Sequence, residues 1–92
     1  MNYLEKKAKA VGKSPLKVRV KTSEETINVK VIKVFCSKNP ITLQNNVNLI
    51  LADSKKGIRL YCETDEDAKS LVGRIREGKV SDLTDYPAKW NP

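Results

Sequence analysis

The chain has no histidine, two cysteines, five aromatic residues and four glycines among its 92 residues. Each scarcity excludes something. Without histidine the commonest general acid and base is missing, and neither Cys36 nor Cys62 has an imidazole to make it a nucleophile. The serines have no base other than lysine. A zinc site needs about four ligands at short spacings, whereas the two cysteines stand far apart with no CxxC, so no metal is expected. The glycines form neither GxxxxGK[ST] nor GxGxxG, the loops that cradle phosphates. Carboxylates cluster only at Asp65-Glu66-Asp67, where helix capping accounts for them. The expectation is no catalytic residue, no metal and no cofactor.

Long apolar runs are missing too. Nothing approaches the roughly 18–20 residues that cross a bilayer, and Met1 to Lys7 goes straight into charge, unlike a signal peptide. A soluble intracellular protein is expected, in the cytoplasm, nucleoid or nucleus. In that setting free thiols are the plainer reading of Cys36 and Cys62, with a disulfide left open. Internal repeats and low-complexity segments are absent.

What is present is a one-sided distribution of charge. Ten of the eighteen basic residues lie in residues 1–40 against three acids, Glu5, Glu24 and Glu25, so this part holds the whole net charge of +7. Leu16-Lys17-Val18-Arg19-Val20-Lys21 alternates apolar with basic, the period of a half-buried strand. Lys17, Arg19 and Lys21 then share one solvent face.

One domain is expected at this length, over residues 1–80, followed by a tail at 81–92 that is either docked or flexible. Residues 2–11 suit a short helix, with Leu4, Ala8 and Val11 on one stripe and Gly12 as its stop. Strands are expected at 16–21 and 26–34. In the second, Ile27, Val29 and Val31 face inward, but Ile32 and Val34 break the phase. A β-bulge near Val31-Ile32 restores it; burial on both faces is the alternative. Residues 36–40 read as a loop, 41–44 as a short strand ended by Asn45-Asn46, and 47–51 and 58–62 as a hairpin around Asp53 to Gly57. Residues 65–77 read as a helix capped by Thr64, with Ala68, Leu71, Val72 and Ile75 on its apolar stripe and Gly78 as its stop. The fold class is α+β: an antiparallel sheet of four to five strands, a short N-terminal and a C-terminal helix packed on one face, and the other face basic and solvent-exposed.

That face carries the candidate site. Lys17, Arg19, Lys21, Lys30 and Lys33 fall on adjacent strands, and Arg59 and Tyr61 add a guanidinium and a ring if they share the face. Cations interleaved with an aromatic suit a phosphate backbone and an unstacked base. The plainer reading is a solvated face whose lysines serve solubility and guard a sheet edge. Lys6, Lys7, Lys13, Lys55 and Lys56 are further candidate phosphate contacts, and Tyr86 and Trp90 are candidate contacts to a protein partner.

The short helix followed by Ser14-Pro15-Leu16-Lys17-Val18-Arg19-Val20 resembles the Alu-RNA-binding small subunits of the signal recognition particle, which implies RNA. Residues 35–58 are longer than the corresponding part of that family. The hairpin and last helix also resemble the final third of pleckstrin-homology-like domains, which implies an adaptor. Two functions therefore stand side by side. One is a non-catalytic module binding RNA, single strands or DNA through phosphates. The other is a protein-interaction or regulatory module, such as an adaptor or viral-type inhibitor, that docks an acidic partner or an anionic lipid surface. An exposed edge strand would allow a homodimer in either case.

Overall fold

The alternation of Leu16 to Lys21 becomes a strand, and the rest of the sheet assembles on it. The computed structural model describes residues 9–10, 16–52 and 54–91. In chain order the elements are β1 (Lys9–Ala10), β2 (Leu16–Lys21), β3 (Thr26–Lys38), β4 (Asn45–Leu51), β5 (Gly57–Cys62), α1 (Asp65–Arg76) and β6 (Ala88–Asn91). The neighbouring strands run antiparallel in the order β2, β3, β4, β5, β6, and the two-residue β1 pairs with Lys33 and Val34 of β3. This is a small α+β fold: among the described residues, a curled sheet with one helix against it.

Strand β3 is thirteen residues long and serves two neighbours because of an irregularity at Ile32. Val31 is opposite Leu51, but Lys33 is opposite Ile50, so Ile32 is the extra residue of a bulge. It keeps Val31 and Val34 on the same buried side and bends the strand, as bulges do. The phase break visible in the sequence at Val31-Ile32 has this cause.

The helix forms where its caps and stripe agree. Thr64 Oγ1 accepts a hydrogen bond from the Asp67 N–H at 3.1 Å, and Asp65, Glu66 and Asp67 lie in the first turn, where the helix dipole favours acids. At the other end Gly78 adopts φ 71°. Its N–H reaches the Ile75 carbonyl at 3.0 Å, and the Lys79 N–H reaches that of Arg74 at 2.9 Å, the paired bonds of a Schellman stop. Ala68, Leu71, Val72 and Ile75 are buried against β3, β4 and β5. They meet Val34, Val47, Leu49, Ile58 and Leu60, which are nearly inaccessible, in one core. Gly57 is needed where β5 begins, since a Cβ there would stand 2.8 Å from the Leu49 carbonyl oxygen.

The curl is closed by the C-terminal segment. The Arg19 N–H donates to Ser81 O and the Leu83 N–H donates to Arg19 O, both at 2.7 Å. Arg19–Asp82 and Thr22–Ala88 are parallel bridges, while Ala88 to Asn91 pair antiparallel with β5. One stretch of chain thus joins the free edge of β2 to the free edge of β5. Leu83 is fully buried and Ala88 nearly so, whereas Trp90 remains 42% exposed. Residues 81–91 are therefore docked, and Leu83 is the side chain that plugs the sheet.

Four expectations need correction. The helix over 2–11 lies mostly outside the described residues; its described part, Lys9–Ala10, is strand, because the open edge of β3 offers a pairing there. Only one helix occurs among the described residues. Residues 41–44 are not a strand: Asn39 Oδ1 accepts from the Ile41 and Thr42 N–H groups at 2.9 and 3.1 Å, which winds 39–44 into a loop. Residues 36–38 and 45–46, read as loop and turn, extend β3 and β4 instead. On the outer side the face is not uniformly open. Phe35, Asn46 and Asn48 are buried, and the Asn48 amide donates to Ser37 Oγ at 2.9 Å.

Leu83→Ala tests the closure. Removing a fully buried leucine from a core costs about 2–5 kcal/mol, and urea unfolding followed by circular dichroism should show a loss of that size. A change below about 0.5 kcal/mol, the ordinary range of surface substitutions, would mean that the segment does not hold the sheet.

Candidate nucleic-acid interface

Strand β2 presents its alternation as the period requires. Val18 and Val20 are buried, and Lys17, Arg19 and Lys21 are exposed. Their register partners on β3 are Lys30, Asn28 and Thr26, all exposed. The Lys17–Lys30 pair sets two cations directly opposite each other, an arrangement that destabilises a sheet. None of Lys17, Arg19, Lys21 and Lys30 belongs to an ion pair among the described residues; the pairs there are Lys38–Asp65 and Lys79–Glu77. Asp82 lies across the closure from Arg19. Its carboxyl is held below its ordinary 3.8 by hydrogen bonds from the Thr84 hydroxyl at 2.7 Å and the Thr84 N–H at 3.0 Å, with Arg19 contributing less.

The other sequence-derived candidates are spread around the curl. Lys33 lies past the bulge, half-buried, opposite Ile50. Arg59 lies between Asn48 and Lys89 in register, two strands away from β3, and is half-buried. Tyr61 is opposite Asn46, yet the closure brings it toward the end of β2. Tyr61, Lys21, Tyr86, Lys89, Thr84 and Asp85 are among the residues lining one open groove of about 600 Å³. Tyr86 accepts a 3.4 Å hydrogen bond from Arg74 Nη2. At the opposite end of β2, Lys17 and Lys30 line a smaller depression of about 250 Å³ with Asn28, Val29, Leu51, Ser54 and Trp90. The sequence pairs the lysine row with Tyr61 and gives Trp90, with Tyr86, to a protein partner instead. No strand pattern in the sequence signals that the tail would carry the indole back beside Lys17.

Lys55 and Lys56 are exposed between β4 and β5, away from both depressions as lined. Lys6, Lys7 and Lys13 lie outside the described residues. Cys36 is an exposed free thiol and Cys62 a buried one; burial pushes the Cys62 thiol above its ordinary 9.0, and the Asp67 carboxylate adds to the shift. Among the described residues no three His, Cys, Asp or Glu side chains gather as metal ligands, and no helix is long and apolar enough to cross a membrane. Chemically, the arrangement offers cations beside aromatic faces. Comparison of the chain with protein-family models, with curated protein sequences and with solved structures gives no match.

The opposed lysines give a test of their own. Lys30→Thr removes a like-charge repulsion, so the variant should gain about 0.2–1 kcal/mol in urea unfolding while binding a polyanion such as heparin more weakly. A variant that loses stability, or holds heparin as tightly as the parent, would show that the pair is not a cost kept for binding.

Proposed function

We propose that the protein is a small non-catalytic nucleic-acid-binding module that grips the phosphate backbone with the outer face of β2 and β3, and that it works inside the cell. One observation carries this reading: Lys17, Arg19, Lys21 and Lys30 stand exposed on adjacent strands, with no carboxylate among the β2–β3 register partners and a single acid, Asp82, bridged to Arg19 on the other edge of β2. Alternate residues on a strand are about 6.6–6.8 Å apart, so the three cations of β2 form a straight row that an extended polyanion can follow. Contacts of this kind position a polymer without reading its sequence. RNA or single strands are favoured over duplex because aromatic rings flank the row.

A second reading, a protein-interaction module, is favoured by a separate observation. The loop 39–44 holds Ile41 and Leu43 exposed at 89% and 64%, with Leu43 at φ 60°. An aliphatic residue in the left-handed region is strained, and strain of that kind gathers at contact sites.

Anisotropy with labelled single-stranded RNA, single-stranded DNA and duplex DNA decides between them. Four phosphate contacts to a single strand should weaken affinity about 50-fold between about 50 and 200 mM salt. Reversing Lys17, Arg19 and Lys21 together to Glu should abolish binding while circular dichroism still shows the parent fold. A triple variant that binds as well as the parent would remove this face as the site. No binding of any polymer at low salt would leave the second reading.

A further inference from the structure

We infer that the partner is single-stranded and lies along β2 with a base stacked at each end of the strand, on Trp90 at one end and on Tyr61 and Tyr86 at the other. This rests on the reading of β2 and β3 as a phosphate-binding face and deepens it. The starting point is the only tryptophan of the chain. Its register partner on β5 is Ile58, which is fully buried, yet the indole itself is 42% exposed. It lines one depression with Lys17 and Lys30, together with Asn28, Val29, Leu51 and Ser54. Among the described residues no acid lines that depression. A partly exposed indole that shares a depression with two lysines offers a face for a base and charges for the neighbouring phosphates.

The other end of β2 repeats the combination with different residues. Lys21 and Lys89 line the larger groove with Tyr61 and Tyr86, and among the described residues Asp85 is the one acid in that lining. From Lys17 to Lys21 is four residues of strand, about 13 Å, with Arg19 midway. Ring and cation, then Arg19 with Asp82 bridged to it, then ring and cation follow the strand. The placement depends on the closure: β6 carries Trp90, and the residues before it carry Tyr86 and Lys89.

This order of groups selects against duplex, whose bases are stacked on one another and offer no free face, and in favour of a strand whose bases can turn onto side chains. An acidic peptide would satisfy the cations but would leave both ring sites unused. The line is short, so it takes a segment at the lower end of the roughly 4–16 nucleotides that small β domains cover.

Because Trp90 is unique, its emission reports the site directly. The full chain is titrated with an oligouridylate of about eight nucleotides, with the same length of duplex, and with poly-glutamate, following tryptophan emission and anisotropy at low salt. The expected result is quenching of Trp90 that saturates along the binding curve for the single strand, with weaker binding and no quenching for duplex. Trp90→Ala should weaken oligouridylate binding roughly 5- to 150-fold, and Trp90→Phe should restore much of it, which separates stacking from a folding defect. Suppose binding leaves Trp90 emission unchanged and W90A binds like the parent, while K17E/R19E/K21E still abolishes binding. Stacking is then wrong and the phosphate-binding face stands. If poly-glutamate binds and neither nucleic acid does, both fail.

Discussion

Everything in this molecule depends on the pair of 2.7 Å backbone hydrogen bonds that tie Arg19 to Ser81 and Leu83. Without them β2 would be an edge strand, with unpaired donors and acceptors along one side, and the inner side of the sheet would be open where Leu83 now fills it. A chain of this size buries only about 60–65% of the surface it exposes when unfolded, so a gap in the core has few neighbours to compensate for it. The closure completes the cover that helix α1 begins. Helix α1 covers β3, β4 and β5, and the C-terminal segment seals the remaining opening between β5 and β2.

The same constraint organises the candidate interface. Strand β2 must send Val18 and Val20 inward to meet Leu83 and the rest of the core, so Lys17, Arg19 and Lys21 are driven outward by the period of the strand. The segment that closes the sheet also carries Tyr86, Lys89 and Trp90, and its docking sets them at the two ends of that lysine row. Packing and the proposed binding are therefore two consequences of one chain path. The cost is visible in the opposed Lys17 and Lys30, an arrangement that packing alone gives no reason to keep.

Where periodicity governs, the sequence was legible. The strand at Leu16 to Lys21, the phase break at Ile32, the hairpin of β4 and β5, and the helix with its Thr64 cap and Gly78 stop all follow from local rules. Asn45 and Asn46 misled because asparagine usually marks turns; here they sit buried in β4, and their place is decided by pairing with Lys38, Ser37, Tyr61 and Cys62 across the sheet. Ile41 and Leu43 misled in the opposite direction, since apolar residues suggest a strand but Asn39 turns the chain. The lysine row of the site was legible for the same reason as β2. The nearness of Trp90 to Lys17 and Lys30 was not, because it arises from contacts between residues more than fifty positions apart, and no local pattern encodes them.

Native-state hydrogen exchange at the Arg19 and Leu83 amides tests the closure most directly. Both donate to main-chain carbonyls across the junction, so the account requires them to exchange as slowly as amides in the middle of β4, through global unfolding. Fast exchange at these two amides, with β4 still protected, would mean that the C-terminal segment opens on its own, and that neither the core nor the interface is built on it.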